Sequence, residues 1–399
     1  MSVVERRHPS GPTLPALCAA LVLATGTAAA PQAAPGSDPD RRGEPYSVAE
    51  IEGTPGLPGA AHNYLVTYGS TGVSGSPVTV SGTIALPPGE PPEEGWPVVG
   101  WAHGTTGVSD LCAPSADRPG GPAHEYLSTA DAALDPWLEH GYAVVRADFE
   151  GLGTPGPHPY LNGTGTAHTV ADLVTAAQHV DGRVGGDWIA LGHSQGGHAA
   201  LFAADGDRSG AAGPQSRPLG VVSAAPGGMG VSALVQWFRE ADPEDEHVVA
   251  ALPFLPVLLL GAEAAEPSVD AEALLTEEVR PLLEAARTGC MDDIAEAARD
   301  LSADTLFEED ARTTELEDYL RSQEPHRLEP DLPALVVQGT EDELVPAEDT
   351  EELVAALAER TSAELEYRTY EGADHRGVLE DSFDDALAFA ERLREGSGR

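Results

Sequence analysis

Residues 187–201 read D-W-I-A-L-G-H-S-Q-G-G-H-A-A-L, an apolar strand that passes through a glycine-flanked serine into a small-residue helix. In that context G-x-S-x-G marks a sharp strand-to-helix turn that lifts a serine hydroxyl above the edge of a sheet. Gly192 and Gly196 are suited to the crowded backbone of such a turn, and Ser194 must take strained angles at its apex. The turn also places Ser194 at a helix N-terminus, where free N–H groups and the helix dipole favour a developing negative charge. An ordinary tight turn is the bland alternative, and the strand before the serine and the helix after it argue against that. Ser194 is therefore the candidate nucleophile, and the backbone N–H of Gln195 a candidate oxyanion donor.

The flanking pattern fits a sheet able to carry such a turn. Period-2 stretches at 63–68 and 77–86 suggest antiparallel strands. Apolar runs of strand length follow at 98–102, 143–147, 188–191, 219–224 and 335–337, with helix-like stretches at 170–180 and 197–204 among them. Strand–helix alternation implies a mostly parallel sheet with helices on both faces. Together with the serine turn, this predicts an α/β-hydrolase fold over residues 45–399. Residues 228–325 break the alternation. They hold the apolar run 248–262 and an acidic helix candidate at 270–287, with no clear strand. So long an interruption needs structure of its own and is expected to be an inserted helical cap or lid. The run 248–262 contains two prolines and is too short to span a bilayer, so no integral membrane association is expected.

Fold order then directs the search for the partners of Ser194, an acid followed by a histidine. Of thirteen histidines, His375 alone lies beyond Arg327, in Y-E-G-A-D-H-R-G after a strand-like stretch. It is the candidate general base. The run 334–346, A-L-V-V-Q-G-T-E-D-E-L-V-P, gives a strand, a turn and Asp342, the candidate acid that would fix the tautomer of His375. Glu341, Glu343 and Asp374 are its rivals. The strand and loop 98–107, V-V-G-W-A-H-G-T-T-G, should supply a second oxyanion donor, with Thr106 expected and Thr105 the alternative. His103 and His193 lack paired ligand spacing, so they read as polar support around the site. No metal and no organic cofactor is expected.

Charge narrows the partners. The formal net charge is −44, and all 22 basic side chains are arginine. Such a surface repels nucleic-acid phosphates and anionic headgroups, leaving neutral esters or lipids as substrates and lipid–water interfaces as places of contact. The absence of lysine beside 66 acids suggests salt adaptation, with GC-rich codon bias the simpler alternative. Arg6 and Arg7, the apolar stretch 14–30 and the run Ala28-Ala29-Ala30 predict a signal peptide over residues 1–30 and a secreted, extracellular protein. A lipoprotein reading at Cys18 is argued against by the bulk of Leu17. Residues 31–44, rich in Pro, Ala, Gly and Asp, read as a flexible lead-in. Removal of the leader leaves Cys112 and Cys290, an even pair that reads as one disulfide in an exported protein, with two buried free thiols the alternative.

Four motifs in order resemble the secretory lipase family of bacteria and fungi. They are A-H-G-T-T-G followed by C-A-P-S, then D-F-E-G-L-G-T-P-G, G-H-S-Q-G-G and G-T-E-D-E-L-V-P, and the resemblance runs from about Tyr46 to the C-terminus. It implies a triad of Ser194, Asp342 and His375, a helical cap before the acid, and a cystine joining Cys112 to Cys290. The fungal pattern carries an Asp near the oxyanion position where this chain has Thr106.

The leading expectation is a triacylglycerol lipase or carboxylesterase acting through an acyl-enzyme on Ser194. A serine peptidase or an acyltransferase would use the same triad, since fold does not fix reaction. A catalytically dead scaffold used for binding is the alternative from another class, and three intact triad candidates argue against it.

Overall fold

The computed structural model describes residues 41–206 and 216–397. The predicted leader over residues 1–30 lies outside them. Nine strands form one sheet: β1 (Pro45–Ile51), β2 (His62–Thr71), β3 (Pro77–Leu86), β4 (Trp96–Ala102), β5 (Ala143–Ala147), β6 (Val184–His193), β7 (Arg217–Ala224), β8 (Ala334–Gly339) and β9 (Leu365–Tyr370). Their spatial order is β1-β2-β3-β5-β4-β6-β7-β8-β9. The first three strands and the β3–β5 pair are antiparallel, and every pair from β5 to β9 is parallel. This is an α/β-hydrolase fold.

Helices α1 (His124–Glu139), α2 (Gly163–Val180) and α3 (Gln195–Ala204) come before β7. Between β7 and β8 lie α4 (Leu234–Glu240), α5 (Glu246–Ala251), α6 (Phe254–Ala265), α7 (Pro281–Thr288), α8 (Met291–Ala298) and α9 (Thr314–Ser322). Helices α10 (Ala347–Ala358) and α11 (Phe383–Gly396) close the chain.

The central strands are apolar on both sides because both sides are covered. Val98, Val145, Ala190, Val221 and Val336 pack with α2, α3 and α10. Their chain neighbours Val99, Val144, Ile189, Val222 and Leu335 pack with α1 and α11 on the opposite face. That alternation is the period of two expected of a strand, read here on two buried faces. The helices between β7 and β8 bury a core of their own around Leu255, Leu259, Leu283 and Ile294, joined by Tyr160 and Leu161 from the main body.

Several expectations are revised by packing. The acidic helix expected over 270–287 is two pieces, a turn at Ala271–Leu274 and α7. Leu275 bridges to Phe307 between them, and Pro281 opens α7 where its missing N–H costs nothing. The run 248–262 likewise divides into α5 and α6, with Pro253 capping the second. β1 was not expected: it is an exposed edge strand without a buried face to give it a pattern. α1 was hidden by Pro136 inside it. Residues 41–44, expected as part of a flexible lead-in, are tied down instead. Gly43 donates to the Gly69 carbonyl at 2.8 Å, and Arg42 meets Asp172 of α2 at 3.0 Å.

A disulfide joins Cys112 to Cys290, 178 residues apart, and so ties the loop after β4 to the start of α8. Thr106 strengthens that seam by accepting a hydrogen bond from the Met291 N–H at 3.2 Å. No helix among the described residues is long and apolar enough to cross a membrane.

Candidate active site

Ser194 sits between β6 and α3 with φ 57° and ψ −115°, a backbone state that L-residues occupy only when surroundings enforce it. The surroundings here are three backbone hydrogen bonds. Ser194 N–H donates to Ala224 at the end of β7 (2.9 Å), and its carbonyl accepts from His198 (3.0 Å) and Gly227 (3.1 Å). The flanking glycines are obligatory. A Cβ on Gly192 would lie 1.9 Å from the Gly196 carbonyl oxygen, and one on Gly196 would lie 1.8 Å from that of Ala102. Gln195 opens α3, so its N–H has no carbonyl within the helix to serve and is free to donate.

Asp342 is buried in the loop after β8. Its Oδ1 accepts from the N–H groups of Leu344 and Val345, each at 2.9 Å. Its Oδ2 accepts from Gln338 Nε2 at 2.9 Å and from His375 Nδ1 at 2.8 Å. Burial works to raise the carboxyl's pKa. The hydrogen bond and charge of His375, with the Val345 N–H and the Gln338 amide, outweigh burial and hold it below the ordinary carboxylate value. Gln338 is itself fixed by the Thr350 hydroxyl at 2.8 Å. The rival acids are engaged elsewhere or exposed. Asp374 Oδ1 accepts from Arg376 and Gly377 N–H at 3.0 and 2.7 Å, and Glu341 and Glu343 face solvent.

Ser194, Gln195 and His375 line one cavity of about 600 Å³. No hydrogen bond joins the Ser194 hydroxyl to His375; pairs of this kind tighten when substrate is bound. The cavity walls are mostly apolar: Met229, Trp237, Phe254, Leu258 and Leu344 contribute, several of them from the helices between β7 and β8. Asp349 and His247 face the same space. Burial, reinforced by Glu352 and Glu348, raises the Asp349 carboxyl above its usual range. A second, more polar groove of about 690 Å³ lies by Asp187 and Arg217, at the far ends of β6 and β7 from Ser194, and holds none of these groups.

The expected oxyanion loop is placed less directly. Neither Thr105 nor Thr106 lines the cavity. The Thr105 hydroxyl pairs with that of Tyr160, a cavity residue, at 2.8 Å, whereas the Thr106 hydroxyl is buried without a hydrogen-bond partner. Behind the loop, His103 stacks on Phe149 with ring centres 4.0 Å apart, and His158 Nε2 lies 3.1 Å from the Gln195 side-chain amide. Burial lowers the pKa of both His103 and His158 to about 4, so both stay neutral. Among the described residues no cluster of His, Cys, Asp or Glu suits a metal ion.

Sequence reasoning missed Gln338, Tyr126, His158 and Tyr160. A signal existed for Gln338, a lone polar residue closing an apolar strand. His158 follows closely on D-F-E-G-L-G-T-P-G. Tyr126 carried none, because only the fold brings it beside Gly104, at 2.5 Å.

Comparison with known proteins follows the same lines. A family model described as secretory lipase matches residues 126–393. The closed-state X-ray structure of Candida antarctica lipase A is 17% identical with a TM-score of 0.72, covering 90% of this chain and 83% of that one. A ligand-bound rice cell wall degrading esterase, LipA from Xanthomonas oryzae, is 18% identical with a TM-score of 0.67, covering 88% and 96%. A putative hydrolase from Legionella pneumophila is 17% identical with a TM-score of 0.63, covering 83% and 88%. At these identities the likeness shows the fold. No curated protein gives a significant match.

Proposed function

The chain belongs to the secretory lipase family of carboxylic ester hydrolases, and from that premise we propose that it is an exported enzyme cleaving neutral lipid esters through an acyl-enzyme on Ser194. His375 takes the Ser194 proton as the hydroxyl attacks the ester carbonyl, then gives it to the departing alcohol. Water, activated by the same imidazole, releases the fatty acid. Asp342 accepts the Nδ1 proton of His375 by hydrogen bond and stabilises the imidazolium without becoming protonated. The Gln195 N–H, with one from the loop at Thr105 and Thr106, receives the oxyanion. Residues 1–30 serve as the export signal, and residues 228–325 form a cap within the domain 45–399.

The observation that carries this reading is His375, hydrogen-bonded to the buried Asp342, lining the same apolar cavity as a serine held at φ 57°. An apolar cavity of this size suits an acyl chain, and a chain with a net charge of −44 disfavours anionic substrates.

The test combines labelling with a substrate series. A fluorophosphonate should label the wild-type protein and leave Ser194→Ala unlabelled at unchanged circular dichroism. Hydrolysis of p-nitrophenyl esters from acetate to palmitate, alongside emulsified triglyceride, should favour the longer neutral chains. Labelling that persists in Ser194→Ala overturns the nucleophile. Cleavage of peptide amides faster than esters overturns the reaction class.

A further inference from the structure

His193 precedes the nucleophile; its ring, buried to 1% exposure, does not line the cavity and lies against the loop that carries His375. Its Nε2 lies 2.6 Å from the backbone carbonyl of His375, and its Nδ1 lies 3.2 Å from the hydroxyl of Tyr126. That hydroxyl in turn lies 2.5 Å from the N–H of Gly104. The Tyr126 and His193 rings stack at 5.7 Å, and the His193 and His375 rings approach to 4.6 Å.

Donors and acceptors can be assigned without choice. A carbonyl only accepts, so Nε2 carries the proton. Burial, with the charge of His375 next, lowers the His193 pKa to about 3, so the ring is neutral and Nδ1 is a bare acceptor. Tyr126 must therefore donate to Nδ1, and its oxygen receives the Gly104 N–H. Every polar atom in the chain is matched, which is the condition under which a buried polar network fixes one geometry. Gly104 must stay a glycine here, since a Cβ would sit 2.6 Å from the Tyr126 oxygen.

We propose that His193 and Tyr126 are positioning residues forming a hydrogen-bonded relay, Gly104 N–H to Tyr126 to His193 to the His375 carbonyl, that locks the loop of the general base to the loop expected to supply the second oxyanion donor. Asp342 fixes the ring of His375; the relay fixes its backbone. Both halves of the reacting geometry are thereby referred to one rigid strand end, residues 192–194. The inference rests on the reading of Ser194, Asp342 and His375 as the triad.

The test measures kcat and KM on p-nitrophenyl butyrate, fluorophosphonate labelling rate and thermal midpoint for five variants. His375→Asn tests the triad itself. If it keeps wild-type turnover, the triad reading fails and the relay with it. If it is inactive, the remaining variants judge the relay alone. His193→Phe keeps bulk and removes both hydrogen bonds. It should lower kcat and labelling rate together by about tenfold to a hundredfold, with KM within about twofold. His193→Gln can still donate to the His375 carbonyl and should recover most of that loss. Tyr126→Phe should cost about threefold to tenfold in kcat, and its effect should largely vanish in the His193→Phe background. Wild-type kcat in a folded His193→Phe, or equal loss in His193→Phe and His193→Gln, overturns the relay. Should His193→Phe fail to fold, a folded Tyr126→Phe with wild-type kcat overturns it just as well.

Discussion

The imidazole of His375 donates from Nδ1 to Oδ2 of Asp342 across 2.8 Å, although the two lie 33 residues apart. Helix α10 and strand β9 fill that interval. With Oδ1 held by two backbone N–H groups and Oδ2 by Gln338, the carboxylate cannot rotate away, so the ring it holds keeps its tautomer.

Replacing that carboxylate should therefore act on the chemical step. Asp342→Asn presents an amide N–H or a weaker acceptor to Nδ1 and favours the tautomer that cannot take the Ser194 proton. A fall in kcat of roughly four orders of magnitude is expected, with KM little changed. Glu341→Gln, one residue away and exposed, should stay within about twofold of wild type. Steady-state kinetics on a short-chain ester checks both, and greater damage from the Glu341 change would reassign the acid.

The pH profile should report one proton. A general base must be unprotonated to accept from a serine hydroxyl, so kcat/KM is expected to decline on the acid side. His193 does not join His375 in this, because its pKa of about 3 keeps it neutral. Asp342, held below its ordinary 3.8, stays ionised. The acid limb of log kcat/KM should thus approach a slope of one and not exceed it down to about pH 4.5. A slope of two would reveal a second group that must lose its proton.

Phe254 and Leu258 of α6 line the cavity beside Ser194. Exchanging both for serine removes apolar surface where an acyl chain would lie, at about 0.8 kcal/mol per methylene left unburied. Long-chain esters should lose at least about tenfold in kcat/KM, and acetate less than about threefold. Equal losses on both substrates, read with the thermal midpoint, would assign the pair to packing alone.

Salt should stabilise this protein. A net charge of −44 opposes compaction, and the Debye length shrinks from about 10 Å at 0.1 M to about 3 Å at 1 M. The thermal midpoint and ester turnover should both rise from about 0.05 to 2 M sodium chloride, more than in sucrose of equal osmolarity. A flat midpoint would leave codon bias to explain the missing lysine.

The serine turn was legible in the sequence because its constraints are local. Gly192 and Gly196 are dictated by backbone contacts within a few residues or with the adjacent strand, and the strand and helix around them declare themselves by apolar runs. The parallel core was legible for a related reason, since strands buried on both faces are apolar throughout. His375 and Asp342 could be chosen by chain order, because the fold admits few places after the last core strands for a base and its acid. The edge strand β1 left no such mark, and the helices between β7 and β8 broke at prolines and bridges that a periodicity count averages over. What tertiary structure alone decided is which buried polar atoms meet. Tyr126, His193 and Gly104 come from a helix, a strand end and a loop, and nothing in their sequence neighbourhoods records that Gly104 N–H, Tyr126 hydroxyl and His193 Nδ1 will satisfy one another. Hydrogen bonds across such distances are specified by the packing of whole elements, and they become visible only when those elements are in place.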